Sequence, residues 1–128
     1  MKRAIFTFYN LSLDTDIVRL QTEVVEKFNT TADFLPLCSN THGEEVIHPD
    51  AVDYGFNQLF VEQKYDTVLL LDVDCIPLNA YALEYTFEQA EKGKLIGNVQ
   101  RGMHLDNDEH NYVAPSAFCL TRQMYEDF

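Results

Sequence analysis

The chain contains no tryptophan, only nine lysines and arginines, and no long apolar run. Against those nine stand 21 aspartates and glutamates, a formal charge of -12. That balance excludes nucleic acid and anionic membrane surfaces as partners, because both require a basic footprint. It still admits an anionic ligand, provided a metal ion brings the positive charge locally. No stretch approaches the roughly 18 apolar residues of a bilayer-spanning helix. Met1-Lys2-Arg3 before the apolar residues 4–9 imitates a signal peptide only loosely. Asn10, Asp14 and Asp16 interrupt the run, and no small-residue cleavage site follows. The cysteines are few and odd in number, Cys38, Cys75 and Cys119, with no paired spacing. They exclude a disulfide framework and read as buried thiols of a reducing compartment, so a soluble, cytoplasmic protein is expected.

What is present suffices for one core. Of the 128 residues, 46% are hydrophobic and 12% aromatic, and no repeat, low-complexity tract or linker divides them. A single domain over residues 1–128 is expected. Residues 4–9 form a short apolar, β-branched run that predicts a buried first strand. Asp14-Thr15-Asp16 then offers helix caps before Ile17, Val18, Leu20, Val24, Val25 and Phe28, spaced along one helical face. Residues 33–38 predict a second strand and 39–48 a polar loop. Pro49-Asp50 opens a second helix with proline in its first turn, carrying Val52, Phe56, Leu59, Phe60 and Val61. Residues 66–71 are the clearest strand, apolar enough to be covered on both faces. A helix over 80–91 follows, closed by Gly93. Strands are predicted at 94–99 and 112–120, separated by a polar stretch, before a last helix from Arg122 that stops after roughly two turns. Such a short ending is expected of either a minimal form or a fragment. Alternating strands and helices imply parallel pairing and right-handed crossovers, hence a three-layer α/β/α sandwich with a mainly parallel sheet.

Asp72-Val73-Asp74 directly follows the apolar strand. Side chains two apart on a strand project to the same side, so both carboxylates face one spot at the carboxyl edge of the sheet. Open α/β folds bind their ligands at that edge. Two carboxylates this close repel unless a proton or cation intervenes. Hard ions such as Mn²⁺ or Mg²⁺ take oxygen ligands and share them with phosphates. The plainer alternative is that both aspartates cap the turn enforced by Pro77.

The run Tyr65-Asp66-Thr67-Val68-Leu69-Leu70-Leu71-Asp72-Val73-Asp74, continued by Ile76-Pro77-Leu78-Asn79, resembles the strand and D-x-D motif of GT-A glycosyltransferases. The order of elements from Ala4 onward is similar to the nucleotide-binding half of that fold, and residues 112–125 resemble the strand and helix that follow. Only residues 65–79 are specific. The resemblance implies a nucleotide-diphosphate sugar donor, UDP- or GDP-linked, and a Mn²⁺ or Mg²⁺ cofactor. Asp72 and Asp74 then contact the ribose or sugar and hold the metal on the diphosphate, the second aspartate being the more usual ligand. It also implies that Thr7, Tyr9 and Asn10 at the end of the first strand, and Asn40 after the second, lie where base and ribose sit. A GT-A catalytic domain is typically longer, and its downstream half supplies much of the acceptor site and often the base.

Arg101 follows the fourth strand and is a candidate phosphate contact. For a catalytic base the candidates are Asp106 and Asp108, in an acidic loop between His104 and His110, and Glu126-Asp127 near the chain end. An EF-hand starting at Asp106 fails, since its sixth place is not glycine and its twelfth is Ala117. His42, Glu44, Glu45 and His48 read as a polar loop. Ser116 lacks a nucleophile-elbow context. Tyr9 and Tyr112 are the aromatics placed for ligand stacking.

The expected reaction passes a sugar from a nucleoside diphosphate to an acceptor hydroxyl, with the cation as Lewis acid. Two alternatives stand beside it. One is a non-catalytic nucleotide-sugar-binding or self-assembling remnant, a homo-oligomer covering its sheet edge. The other is a haloacid-dehalogenase-type phosphatase, whose motif Asp-Val-Asp also resembles, although that family places it near the start of its fold and here it follows the third strand.

Overall fold

The structure, a computed structural model, describes residues 1–29, 31–38, 48–102 and 109–127. Among the described residues, five strands and four α-helices largely alternate. Strand β1, Arg3–Tyr9, leads into helix α1, Thr15–Phe28, which starts where the Asp14 side chain accepts the Asp16 amide. Strand β2, Asp33–Cys38, follows, and then helix α2, His48–Phe56. A π-helical extension, Asn57–Glu62, continues α2. Strand β3, Thr67–Leu71, is reached through Lys64, whose φ of 60° turns the chain. Helix α3, Ala80–Glu91, is capped by the Asn79 side chain on the Ala82 amide and released at Gly93, φ 84°. Strands β4, Ile96–Gly102, and β5, His110–Thr121, precede helix α4, Arg122–Asp127.

The sheet order is β2-β1-β3-β5-β4. Pairings β1–β2 and β1–β3 are parallel, whereas β3–β5 and β4–β5 are antiparallel. The sheet is therefore mixed, which corrects the expectation of a mainly parallel one. The reason is the connection between β4 and β5. It spans residues 103–109, too few for the dozen or more residues of a parallel crossover. A return by hairpin forces β5 to run against both neighbours. The strand ends also shift: β4 and β5 extend into the stretch read as polar loop.

Helices cover both faces. On one, Phe56, Leu59 and Phe60 of α2 and its extension pack with Phe6, Val68, Leu70 and Leu120, joined by Met124 and Tyr125 of α4. Phe6 meets the Phe56 ring edge-on at 5.1 Å, and Phe60 stacks on Phe56 at 5.7 Å. On the other face Val25 of α1 and Leu83, Phe87 and Ala90 of α3 close over Ile5, Leu69 and Leu71. All five residues of β3 are buried, because central position and two-sided cover leave none for solvent. Each fully buried leucine there contributes about 1.5–3 kcal/mol.

Chain order sets up the rim. From β1 the chain crosses to β2 on one side through α1, then returns past β1 to β3 through α2. These helices belong to opposite faces. The carboxyl ends of β1 and β3 thus flank a topological switch point, where open α/β sheets form a crevice.

Candidate functional site

At this switch point β1 ends at Tyr9, with Asn10 next, and β3 gives way after Leu71 to the acidic segment. The parallel register pairs Phe6 with Leu70, so the last residues of β1 run level with the beginning of that segment. Asp72 is half-buried and Asp74 is exposed. They do not extend the strand. The Cys75 amide donates to the Asp72 carbonyl at 2.8 Å, closing a turn. Strand alternation therefore does not bring the two side chains to one side, as expected from the sequence; a reversal of the backbone carries both. The Asp72 amide donates to the Ser116 carbonyl at 2.8 Å, so β5 anchors the start of the turn. From α1, Gln21 donates its amide Nε2 to the carbonyls of Asp72 and Cys75 at 2.6 and 2.8 Å.

The Cys75 thiol reports the local field. Burial raises its pKa first, and the carboxylates of Asp72 and Asp74 raise it further. Both acidic groups thus act on one small region. Among the described residues no group of three or more His, Cys, Asp or Glu side chains is placed to hold a metal ion. Two carboxylates nevertheless fit the way Mg²⁺-type ions are held against phosphates, by one or two protein oxygens with the remainder from ligand and water.

Where β1 passes into α1, a cleft of about 250 Å³ is lined by Tyr9, Asn10, Leu11, Leu13, Thr15, Val18 and Arg19. Asn10 shapes its wall: the side-chain oxygen accepts the Leu13 and Ser12 amides, each at 3.1 Å, folding the β1–α1 loop. On the other side, Cys75, Ile76, Pro77 and Leu78 border an apolar hollow of about 280 Å³ shared with Leu83, Ile96 and Ala117.

The remaining sequence candidates scatter. Thr7 is fully buried within β1, and its hydroxyl has no hydrogen-bond partner among the described residues, so it lies inside the sheet rather than at the rim. Arg101 stands on edge strand β4 opposite Asn111 and forms an ion pair with Glu109 at 2.7 Å. That hairpin overhangs the rim: Ala117 pairs with Leu71, and Asn111 lies further along β5. Tyr112 donates its hydroxyl to Gln100 at 2.9 Å on the same arm. Asp127 is exposed on α4, accepting from Gln123 at 2.8 Å. Asn40, Asp106 and Asp108 lie outside the described residues, as do His42, Glu44 and Glu45. The residue that sequence reasoning missed is Gln21. Its signal was present, since a polar residue four before Val25 falls on the apolar stripe of α1.

No protein-family model matches the chain, and no curated protein does.

Proposed function

We propose that this chain is the donor-binding half of a GT-A-like glycosyltransferase, taking a UDP- or GDP-linked sugar with Mn²⁺ or Mg²⁺ held by Asp72 and Asp74. The observation that carries the reading is the acidic turn at the switch point, with the Tyr9–Asn10 cleft at the end of the neighbouring strand β1. The mixed α/β sheet with helices on both faces agrees with it. When bound, the cation supplies Lewis-acid neutralisation of the charge developing on the departing diphosphate. The chain's own part is to bind and orient. Asp74, the more exposed carboxylate, would hold the ion, and Asp72 would share in holding it or contact the ribose or sugar. The ring of Tyr9 and the loop shaped by Asn10 receive the nucleoside.

Self-assembly without turnover is the second reading, favoured by exposed Leu78, Tyr81 and Val99 around the hollow and on edge strand β4.

Thermal shift with UDP, GDP and CMP, each with and without Mn²⁺, tests the proposal. Stabilisation by a nucleoside diphosphate that requires Mn²⁺ and disappears in Asp74→Asn is expected. No response to any nucleotide with metal present would overturn it. A concentration-dependent oligomer that no nucleotide stabilises, with or without Mn²⁺, selects the second reading.

A further inference from the structure

The turn that carries the two aspartates is fastened from outside its own stretch of chain. Gln21, 1% exposed, sits on the buried face of α1. Its amide spans the carbonyls of Asp72 and Cys75 at 2.6 and 2.8 Å. These are the first and last residues of the turn that the Cys75 amide closes. Two carbonyls facing one side chain demand its NH₂ end, so chemistry settles which way the amide points.

Packing alone does not account for the residue. Methionine has similar length and would join Val25 on the stripe without burying a polar atom. The glutamine instead leaves Oε1 buried with no hydrogen-bond partner among the described residues, which is unfavourable. What the amide adds is direction: it holds both ends of the turn at one spacing and ties them to a helix.

We infer that Gln21 is a positioning residue for the acidic pair, presetting the Asp72–Cys75 turn so that both carboxylates are presented to one cation. The role of the ion rests on the donor-site reading above; the clamp does not. A turn already held in place binds an ion without prior ordering, whereas a released turn must be ordered first.

Three variants decide it. Gln21→Met keeps length and removes the donor; Gln21→Glu keeps size and polarity without the NH₂. Val25→Ala removes volume from the same stripe and leaves the clamp intact. Hydrogen exchange at the Cys75 and Leu69 amides is measured alongside the Mn²⁺ concentration that half-saturates nucleotide stabilisation. In both Gln21 variants, Cys75 exchange is expected to accelerate about tenfold with Leu69 unchanged, a local opening rather than global unfolding. Half-saturating Mn²⁺ is expected to rise about fivefold as preorganisation is lost. Val25→Ala should lower Tm and shift neither readout. The inference is overturned if Cys75 stays protected in the Gln21 variants, or if Val25→Ala reproduces both effects. It is also overturned if Cys75 is freed while the Mn²⁺ requirement stays put. A wild-type chain indifferent to nucleotide and Mn²⁺ overturns the donor-site reading instead, and the exchange readout, which needs no metal, still decides the clamp.

Discussion

Tyr65 donates its phenolic hydroxyl to the carboxylate of Asp33 at 2.6 Å. The bond joins the lead-in to β3 with the first residue of β2, two strands that β1 keeps apart. Tyr65 is buried, and Lys2 Nζ lies 4.0 Å from its ring centroid. Burial, then the bond to Asp33, pushes the phenol pKa up to about 12.

Tyr65→Phe is expected to lower stability at pH 7 by about 1.5–3 kcal/mol, the range for a hydrogen bond to a charged group. Because the folded pKa lies above the unfolded value near 10, this stabilisation is complete below pH 10 and fades as pH rises toward 12. Denaturant unfolding of both chains at pH 7 and above pH 11 checks it: the gap should narrow at the higher pH. A constant gap would assign the loss to packing.

At the amino end of β1, Arg3 grips Glu91 with two hydrogen bonds at 2.6 and 2.7 Å and reaches Glu84 at 2.7 Å. The Arg3 and Glu91 side chains are mostly buried. Arg3→Met strands a buried carboxylate and should cost about 3–5 kcal/mol. Adding Glu91→Gln or Glu91→Leu should recover part of that loss. A double variant no more stable than Arg3→Met would show that the arginine acts through its packing on Phe87, 5.1 Å away.

Acid should loosen the same end. The Lys2 amide, followed by Arg122, holds the Asp66 carboxyl below its usual range, and Arg3 and then Thr31 do so for Glu84. Depressed carboxylates stabilise above their unfolded values, 3.8 and 4.5, and that contribution disappears as pH falls through the lower folded values. Tm measured from pH 6 down to pH 2 should drop through this window, with a shallower fall in Asp66→Asn. An unchanged slope in that variant would remove Asp66 from the account.

Gly97 sits at the irregularity where β4 shifts register against β5. A Cβ there would stand 2.3 Å from the Ala117 carbonyl oxygen and 2.6 Å from a Val113 methyl. Backbone cannot yield as a side chain does, so Gly97→Ala is expected to cost about 1–3 kcal/mol. Because Ala117 pairs with Leu71, the shift should reach the β3 edge. Amide exchange along β5 checks this, and loss confined to β4 would contradict it.

How far these features were legible depended on their range. The bounds of β2 and α3 follow from local chemistry: Asn79 caps one end of α3 and Gly93 releases the other. Strand direction is not local. Residues 110–121 carry the same side chains whichever way they run, so β5 was read as parallel until the short hairpin decided it. The π-helical register at 57–62 was invisible for a similar reason, since its apolar spacing matches an ordinary helix at that length. At the site, the Asp-Val-Asp segment was conspicuous, but its turn depends on Ser116 and Gln21, partners distant in sequence. Asparagine and arginine candidates carried no such constraint. Arg101 is engaged by Glu109 across a hairpin that spacing alone did not reveal.

The ion pairs of Arg3 with Glu84 and Glu91 and of Arg122 with Asp66, together with the hydrogen bond from the Lys2 amide to Asp66, all gather where β1 and β3 begin. The acidic turn and its cleft lie where the same strands finish. Grip and aperture therefore sit at opposite poles of one pair of strands. Salt can slacken the more exposed Arg122–Asp66 pair by screening and the mostly buried Arg3–Glu91 pair far less, while the turn keeps its shape through uncharged amide bonds. Loops at the open pole are correspondingly at liberty to change their chemistry over evolutionary time, since the fastening that keeps the sheet together is elsewhere.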